Sequence, residues 1–257
     1  MPLKPFDFSN MEAIGLILAG GRGSRMKTSL PKSLVSLNGK PIISHIIEAL
    51  RDAGVKNIAI VIGHKGEEIK KKIGDGFRYV VQPEPKGTAH AVMQIEKNIS
   101  WGGKDIFIFV GDSPLIRPNT IRELFFHHHA TQAHCTFLTA EFSVKLPYAR
   151  VIRDNDGRVL KCVEEKNANE NELKIQELLS SHFVFKADSL FRYLHEIPAD
   201  PDNGEFYLTE IVNIFLAKGL SVETLKITNY QELIGVNTPE DLAWAERILS
   251  EGIYGRV

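Results

Sequence analysis

Four short runs rich in β-branched and aromatic residues, Ala13–Leu18, Asn57–Ile62, Arg78–Val81 and Asp105–Val110, alternate with longer amphipathic segments. The apolar face of each amphipathic segment needs a sheet to cover, so the pattern predicts βα units around a mostly parallel sheet. Ile42–Ala53 places Ile42, Ile43, Ile46, Ile47 and Leu50 on one helical face and stops at Gly54. Glu67–Ile73 and Ala89–Lys97 read as shorter helices.

After Pro114 the pattern changes. A helix is expected to open at Thr120, with Glu123 three residues later as a capping box. Strand-like segments follow at Thr136–Ala140, Arg150–Arg153, Val159–Val163 and His182–Phe185, with Asp154-Asn155-Asp156-Gly157 as a hairpin turn between the second and third. The final third returns to alternation: a helix around Leu208–Ala217, a strand at Val222–Ile227, and a helix from Thr238 to about Leu249. Thr238 caps this last helix, and Pro239, Glu240 and Asp241 fill its first turn. No internal repeat, low-complexity tract or Pro/Gly/Ser linker interrupts the chain. One α/β domain with an inserted lobe is therefore expected.

Composition narrows the function classes. The 257 residues are 43% hydrophobic and 25% charged, ordinary for a globular protein. The longest apolar stretches, Ala13–Ala19, Ile58–Ile62 and Ile106–Val110, are far shorter than a membrane span. With 31 basic and 32 acidic residues the net charge is −1, which argues against nucleic acid or an anionic bilayer as partner. Cys135 and Cys162 show no metal or redox spacing and read as reduced core thiols. Met1 to Asn10 lacks the basic and apolar regions of a signal peptide and reads as a loose leader, so a cytoplasmic location is expected.

In an open parallel sheet, ligands sit beyond the carboxyl ends of the strands. Four such ends carry chemistry. The first, Leu18-Ala19-Gly20-Gly21-Arg22-Gly23-Ser24-Arg25-Met26, continues to Pro31-Lys32. Its glycines let backbone amides approach an anion, and Arg25 and Lys32 supply charge for phosphate oxygens. No Gly-Lys-Ser/Thr follows, so it is not a P-loop; glycines after a strand can also simply make a turn. At the second end Gln82 offers a donor and an acceptor to a nucleobase edge, and Gly87-Thr88 opens a helix with free amides. The bland alternative is a proline-rich surface turn. The third, Val110-Gly111-Asp112-Ser113-Pro114, delivers a carboxylate suited to Mg²⁺ beside substrate phosphates. The fourth, Gly235-Val236-Asn237, presents an amide oxygen just before a helix. Asn237 alone is a turn residue and gains meaning as Asp112's partner. Together the four ends fit nucleotide chemistry with Mg²⁺.

These motifs, in this order, resemble the sugar-1-phosphate nucleotidyltransferases, and within them the uridylyltransferase domain of the bifunctional N-acetylglucosamine-1-phosphate uridylyltransferases. The likeness runs from about Ala13 to Leu249 and includes Tyr148-Ala149-Arg150-Val151, Val163-Glu164-Glu165-Lys166 and Asn203–Glu210. The resemblance implies a Rossmann-like, mostly parallel sheet flanked by helices, with an inserted sugar-binding β lobe. It divides residues 11–257 into a nucleotide-binding half (11–117), a sugar-binding half (118–236) and a C-terminal helix (237–257) of one nucleotidyltransferase domain. It also implies Mg²⁺-dependent attack of a sugar 1-phosphate on the α-phosphorus of a nucleoside triphosphate, UTP foremost, with pyrophosphate leaving. By position, Arg25 and Lys32 are the catalytic cations. Leu18, Ala19, Gly20, Gly21, Gly23, Gln82, Gly87 and Thr88 would bind the nucleotide, and Asp112 and Asn237 the Mg²⁺. Ala149, Glu164, Lys166 and Leu179 fall at sugar-site positions, Lys166 being equally well a solvated surface lysine.

The chain departs from the family pattern in places. Val110-Gly111-Asp112 replaces Tyr-Gly-Asp, Ala149 replaces a glycine, and Leu179-Ser180-Ser181 replaces Asn-Thr-Gly, whose asparagine is a sugar ligand. Recognition of an acetamido sugar is thereby put in question. The chain carries none of the hexapeptide repeats of the family's acetyltransferase domain, so acetyl transfer is not expected, and a monomer or small homo-oligomer is.

Other constellations carry less. His127-His128-His129 are consecutive on a helix and point in different directions, so they do not converge on one ion. His90 and His182 read as structural histidines, and Ser24 lacks a triad context. Two alternatives stay open at this point: a catalytically retired binding or regulatory relative, and a related cytidylyl- or molybdopterin nucleotidyltransferase.

Overall fold

The computed structural model describes residues 12–251 apart from Arg22, Lys97, Ile99 and Trp101. The expected leader, 1–10, and positions 252–257 lie outside the described residues.

The first half folds as its apolar pattern dictates. Strand β1 (Ala13–Ala19) is followed by a short hairpin, β2 (Ser36–Leu37) and β3 (Lys40–Pro41), and by helix α1 (Ile42–Ala53). Then come β4 (Asn57–Ile62), α2 (Gly66–Ile73), β5 (Arg78–Val81), α3 (Thr88–Met93) and β6 (Asp105–Val110). Strand β1 pairs in parallel with β4 on one side and β6 on the other, and β5 extends the sheet beyond β4. Ile43, Ile46, Ile47 and Leu50 of α1 pack with Ile17, Ile60, Phe107 and Phe109 on one face of the sheet. Ala89, Ala91 and Val92 of α3 pack with Leu16, Val61 and Ile108 on the other.

The second half adds α4 (Pro118–Thr131), β7 (Cys135–Glu141), β8 (Ala149–Arg153), β9 (Val159–Val163), β10 (Glu177–Lys186), α5 (Ala187–Tyr193), α6 (Glu210–Ala217), β11 (Val222–Lys226) and α7 (Pro239–Ser250). The sheet order is β11-β7-β10-β6-β1-β4-β5. Strand β10 runs antiparallel between β6 and β7, making the sheet mixed, and β8 and β9 form a hairpin on the first residues of β10.

Three sequence expectations are corrected. Helix α4 opens two residues before Thr120, with Arg117 as its cap and Pro118 at its first position, where a missing N–H costs nothing. The Thr120 hydroxyl instead donates to the buried Glu232 carboxylate at 2.6 Å. Strand β10 begins at Glu177 rather than His182, because a register shift between Leu179 and Phe183 breaks the period-two pattern that sequence reading relies on. Within that shift Ser181 has φ 63°, the left-handed region, where the family pattern carries glycine. Helix α5 has no counterpart in the expected elements. Among the described residues no helix is long and apolar enough to cross a membrane.

Candidate active site

A small core cluster explains how distant loops meet. Met26 from the glycine loop, Leu37 and Ile42, Leu115 from the segment after β6, Val236 and Ala245 of α7 are buried together. The Val236 N–H donates to the Asp112 carbonyl at 2.7 Å, locking the turn before α7 onto the end of β6. Thr238 caps α7, its hydroxyl accepting from the Asp241 N–H at 3.1 Å while the Asp241 carboxylate accepts from the N–H groups of Asn237 and Thr238. Asn237 is therefore held on a fixed backbone, and its Nδ2 donates to the Gly235 carbonyl at 3.1 Å, which leaves Oδ1 as an acceptor.

Two cationic side chains converge on that amide oxygen. Lys32 Nζ hydrogen-bonds the Asp112 carboxylate and donates to Asn237 Oδ1 at 2.9 Å, and Arg25 Nη2 donates to the same oxygen at 3.0 Å. Tyr148 supports the turn from behind, its hydroxyl accepting from the Gly235 N–H at 2.8 Å; burial and the nearby Asp112 charge push that phenol well above its ordinary range. The root of Lys32 is clamped by the glycine loop. Gly23 has φ 61°, and a Cβ there would lie 2.6 Å from Lys32 Cβ.

The opposite wall is built by Gly87, with φ 93°. A Cβ on it would lie 2.5 Å from the Phe206 carbonyl oxygen, so only glycine permits this approach. The Phe206 N–H donates to Lys86 O at 2.8 Å, its carbonyl accepts from the Ala89 N–H at 2.9 Å, and the Leu208 N–H donates to the Thr88 hydroxyl at 2.9 Å. Residues from the second half thus close the wall. Gln82 donates through Nε2 to Gly87 O and pairs with His90 Nδ1, both at 3.1 Å. Its amide nitrogen clasps the wall, and Oε1 remains as its acceptor beside Gly20.

These walls enclose a cavity of about 580 Å³ at the carboxyl ends of β1, β5 and β6. Leu18, Ala19, Gly20, Gly21, Gly23, Arg25, Lys32, Gln82, Gly87, Thr88, Asp112 and Asn237 all line it. So do Ser33, Pro85, Ala91, Val110, Gly111, Glu205 and Tyr207, to which the sequence reading assigned no role. The signal for Glu205 and Tyr207 was present in the Asn203–Glu210 motif; what was missing was the knowledge that Gly87 seats it on the first half.

The four sugar-site positions lie outside this lining. Ala149 and Leu179 pair with each other between β8 and β10, and both are about 2% exposed in the core. Glu164 is mostly buried, and burial raises its carboxyl pKa against an opposing hydrogen bond with Thr209. Lys166 forms an ion pair with Asp200 and lies 4.8 Å from the ring centroid of Tyr207, at the edge of the cavity.

No histidine or cysteine among the described residues is in that lining. Both thiols are free and buried. His128 Nε2 and His129 Nε2 lie 3.5 and 2.7 Å from the two oxygens of Asp105. Burial of Asp105 is outweighed by those contacts, and its carboxyl falls to about 2. Among the described residues no three His, Cys, Asp or Glu side chains form a group able to hold a metal. His182 is fully buried beside Phe109, with Nδ1 3.0 Å from Ser180 Oγ, and burial lowers its pKa to about 4.

Comparison with known proteins places this geometry. The chain is 38% identical over 239 residues to "Bifunctional protein GlmU" of Pelotomaculum thermopropionicum, covering 93% of this chain and 52% of that protein. It is 37% identical over 238 residues to the protein of the same name from Geobacillus sp., with the same coverage. The chain thus spans about half the length of these curated relatives. A Bacillus anthracis structure assigned as a glucose-1-phosphate thymidylyltransferase superposes with a TM-score of 0.75 at 21% identity, covering 92% of this chain and 94% of that one. UDP-glucose pyrophosphorylase with bound UDP-glucose superposes with a TM-score of 0.74 at 20% identity, covering 94% and 99%. The pattern of the MobA-like NTP transferase domain matches residues 15–202, and the chain belongs to that family.

Proposed function

We propose that this protein is a cytoplasmic nucleotidyltransferase that joins a nucleoside triphosphate, UTP foremost, to a sugar 1-phosphate and releases pyrophosphate. The observation that carries the reading is the convergence of Arg25, Lys32, Asp112 and Asn237 beside the glycine loop, at the open end of the sheet. The similarity to sugar-nucleotide enzymes supports the same reaction class.

The donor set fits Mg²⁺. One carboxylate and one amide oxygen already converge on a single cationic nitrogen, and Mg²⁺ takes one or two such protein oxygens alongside water and phosphates. Asp112 and Asn237 would hold the ion, which when bound neutralises phosphate charge. The chain's own residues do the rest. Gly20, Gly21 and Gly23 let backbone approach the triphosphate, Arg25 sits where it can hold the departing phosphates, and Lys32 would reach the space between the two substrates. Such a transfer needs in-line placement and charge neutralisation rather than a protein nucleophile. For the acceptor we propose a hexose 1-phosphate, N-acetylglucosamine 1-phosphate or another, bound on the Glu164 side of the cavity.

The test is pyrophosphate release by purified protein with Mg²⁺, each common nucleoside triphosphate and a panel of sugar 1-phosphates. A pyrimidine triphosphate with a hexose 1-phosphate is the expected productive pair. No release with any pair overturns the reading.

A further inference from the structure

The two oxygens best suited to a divalent ion are taken by a side chain. Lys32 Nζ bonds both the Asp112 carboxylate and Asn237 Oδ1, and both Lys32 and Asp112 are about one-fifth exposed at the cavity. Resting on the metal reading above, we propose that Lys32 is the built-in counter-ion of the Asp112–Asn237 pair, and that a divalent cation binds there by displacing it.

The argument is one of charge and reach. An ammonium and a divalent ion cannot occupy the same point between the Asp112 carboxylate and Asn237 Oδ1, because each needs the lone pairs directed to that point. Lys32 is able to leave. Its Cβ lies against Gly23, and the three carbons beyond it give rotatable bonds through which Nζ can swing without moving the loop. Asn237 keeps a partner after the exchange, since Arg25 holds the same oxygen and an amide oxygen has two lone pairs. The Asp112 backbone stays in place, because its carbonyl accepts from the Val236 N–H.

Leaving costs Lys32 its ion pair unless another anion receives it. The cavity supplies few: among the described residues Glu205 is the other carboxylate in its lining. A triphosphate supplies that anion. Metal alone therefore binds weakly, and metal with triphosphate binds well.

The experiment is titration of the free protein with Mn²⁺ alone, followed calorimetrically or by the electron paramagnetic resonance signal of free Mn²⁺. Lys32→Met is expected to bind Mn²⁺ at least fivefold more tightly than the unmodified protein in the absence of nucleotide, although it loses turnover. Lys32→Gln, which removes the charge and keeps a polar tip, gives the same direction and serves if Lys32→Met does not fold. Asp112→Asn is expected to abolish Mn²⁺ binding here. Binding by both Lys32 variants that is no tighter than in the unmodified protein, with Asp112→Asn still abolishing it, overturns the displacement proposal and leaves the metal reading standing. Mn²⁺ binding undiminished by Asp112→Asn overturns the metal reading and this proposal with it.

Discussion

Arg25 and Asn237 are 212 positions apart, and a 3.0 Å hydrogen bond from the guanidinium to the amide oxygen joins them across the mouth of the cavity. The bond ties the loop after β1 to the turn before α7. Asn237→Ala is expected to lower kcat/KM about 100-fold, because it removes an oxygen shared by both cations. Its Tm is expected to change by no more than a few degrees, since the lost bonds lie at a partly exposed site. Steady-state kinetics with thermal melting checks both. Unimpaired turnover would remove Asn237 from the site.

Gly87→Ala places a methyl against the Phe206 carbonyl in a backbone conformation that alanine resists. The expected cost is about 2 kcal/mol or more from strain and displaced wall contacts. The same change raises the KM for nucleotide, because the wall carries Gln82 and Thr88. Urea denaturation and nucleotide titration measure the two effects separately.

Ser181 holds a left-handed conformation inside the irregular part of β10. Ser181→Gly is expected to stabilise the fold by about 0.5–1 kcal/mol, the strain relieved less the added freedom of the unfolded chain. A denaturant midpoint that falls rather than rises would show that the serine contributes something beyond its backbone angle.

The pH dependence of stability should carry a signature of His182. Its folded pKa is about 4, below the ordinary 6.5, so the unfolded chain binds a proton that the folded chain refuses. That contribution is fully present above pH 6.5 and is lost as pH falls toward 4, on the order of 3 kcal/mol across the window. His182→Leu removes this part of the slope. Denaturation curves of the two proteins at pH 7, 5.5 and 4.5 make the comparison, and parallel profiles would contradict it.

Sugar choice is tested at the position of Leu179. An apolar side chain in the core stands where the family pattern has an asparagine that binds sugar, so glucose 1-phosphate is expected to match or exceed N-acetylglucosamine 1-phosphate in kcat/KM. A strong preference for the acetamido sugar would show that other residues supply its contacts.

Most of the first half was legible because its information is local. The bounds of α1, β4, β5 and β6 follow from apolar runs that end in glycine or a polar turn, and those signals survive folding unchanged. The start of β10 was not legible. Its register shift is set by pairing with β7 and β8, which a single strand's pattern does not encode. The opening of α4 was misread because Thr120, a plausible cap, has its hydroxyl bound to Glu232, a partner 112 positions away.

The site divides the same way. The sequence alone placed glycines, cations and an aspartate after strand ends, because parallel βα topology sends those ends to one edge; Asn237, read as a fourth strand end, instead follows the helical turn Tyr230–Leu233, well past the end of β11. Only the tertiary structure decided what they do to one another. It put Lys32 on the two oxygens suited to a metal, turned the Gln82 amide nitrogen inward to hold Gly87, and brought Phe206 against that glycine. Each of these is a contact between segments brought together by packing of the sheet and the Met26–Val236 cluster, and contact distance is a property of the packed chain rather than of any stretch along it.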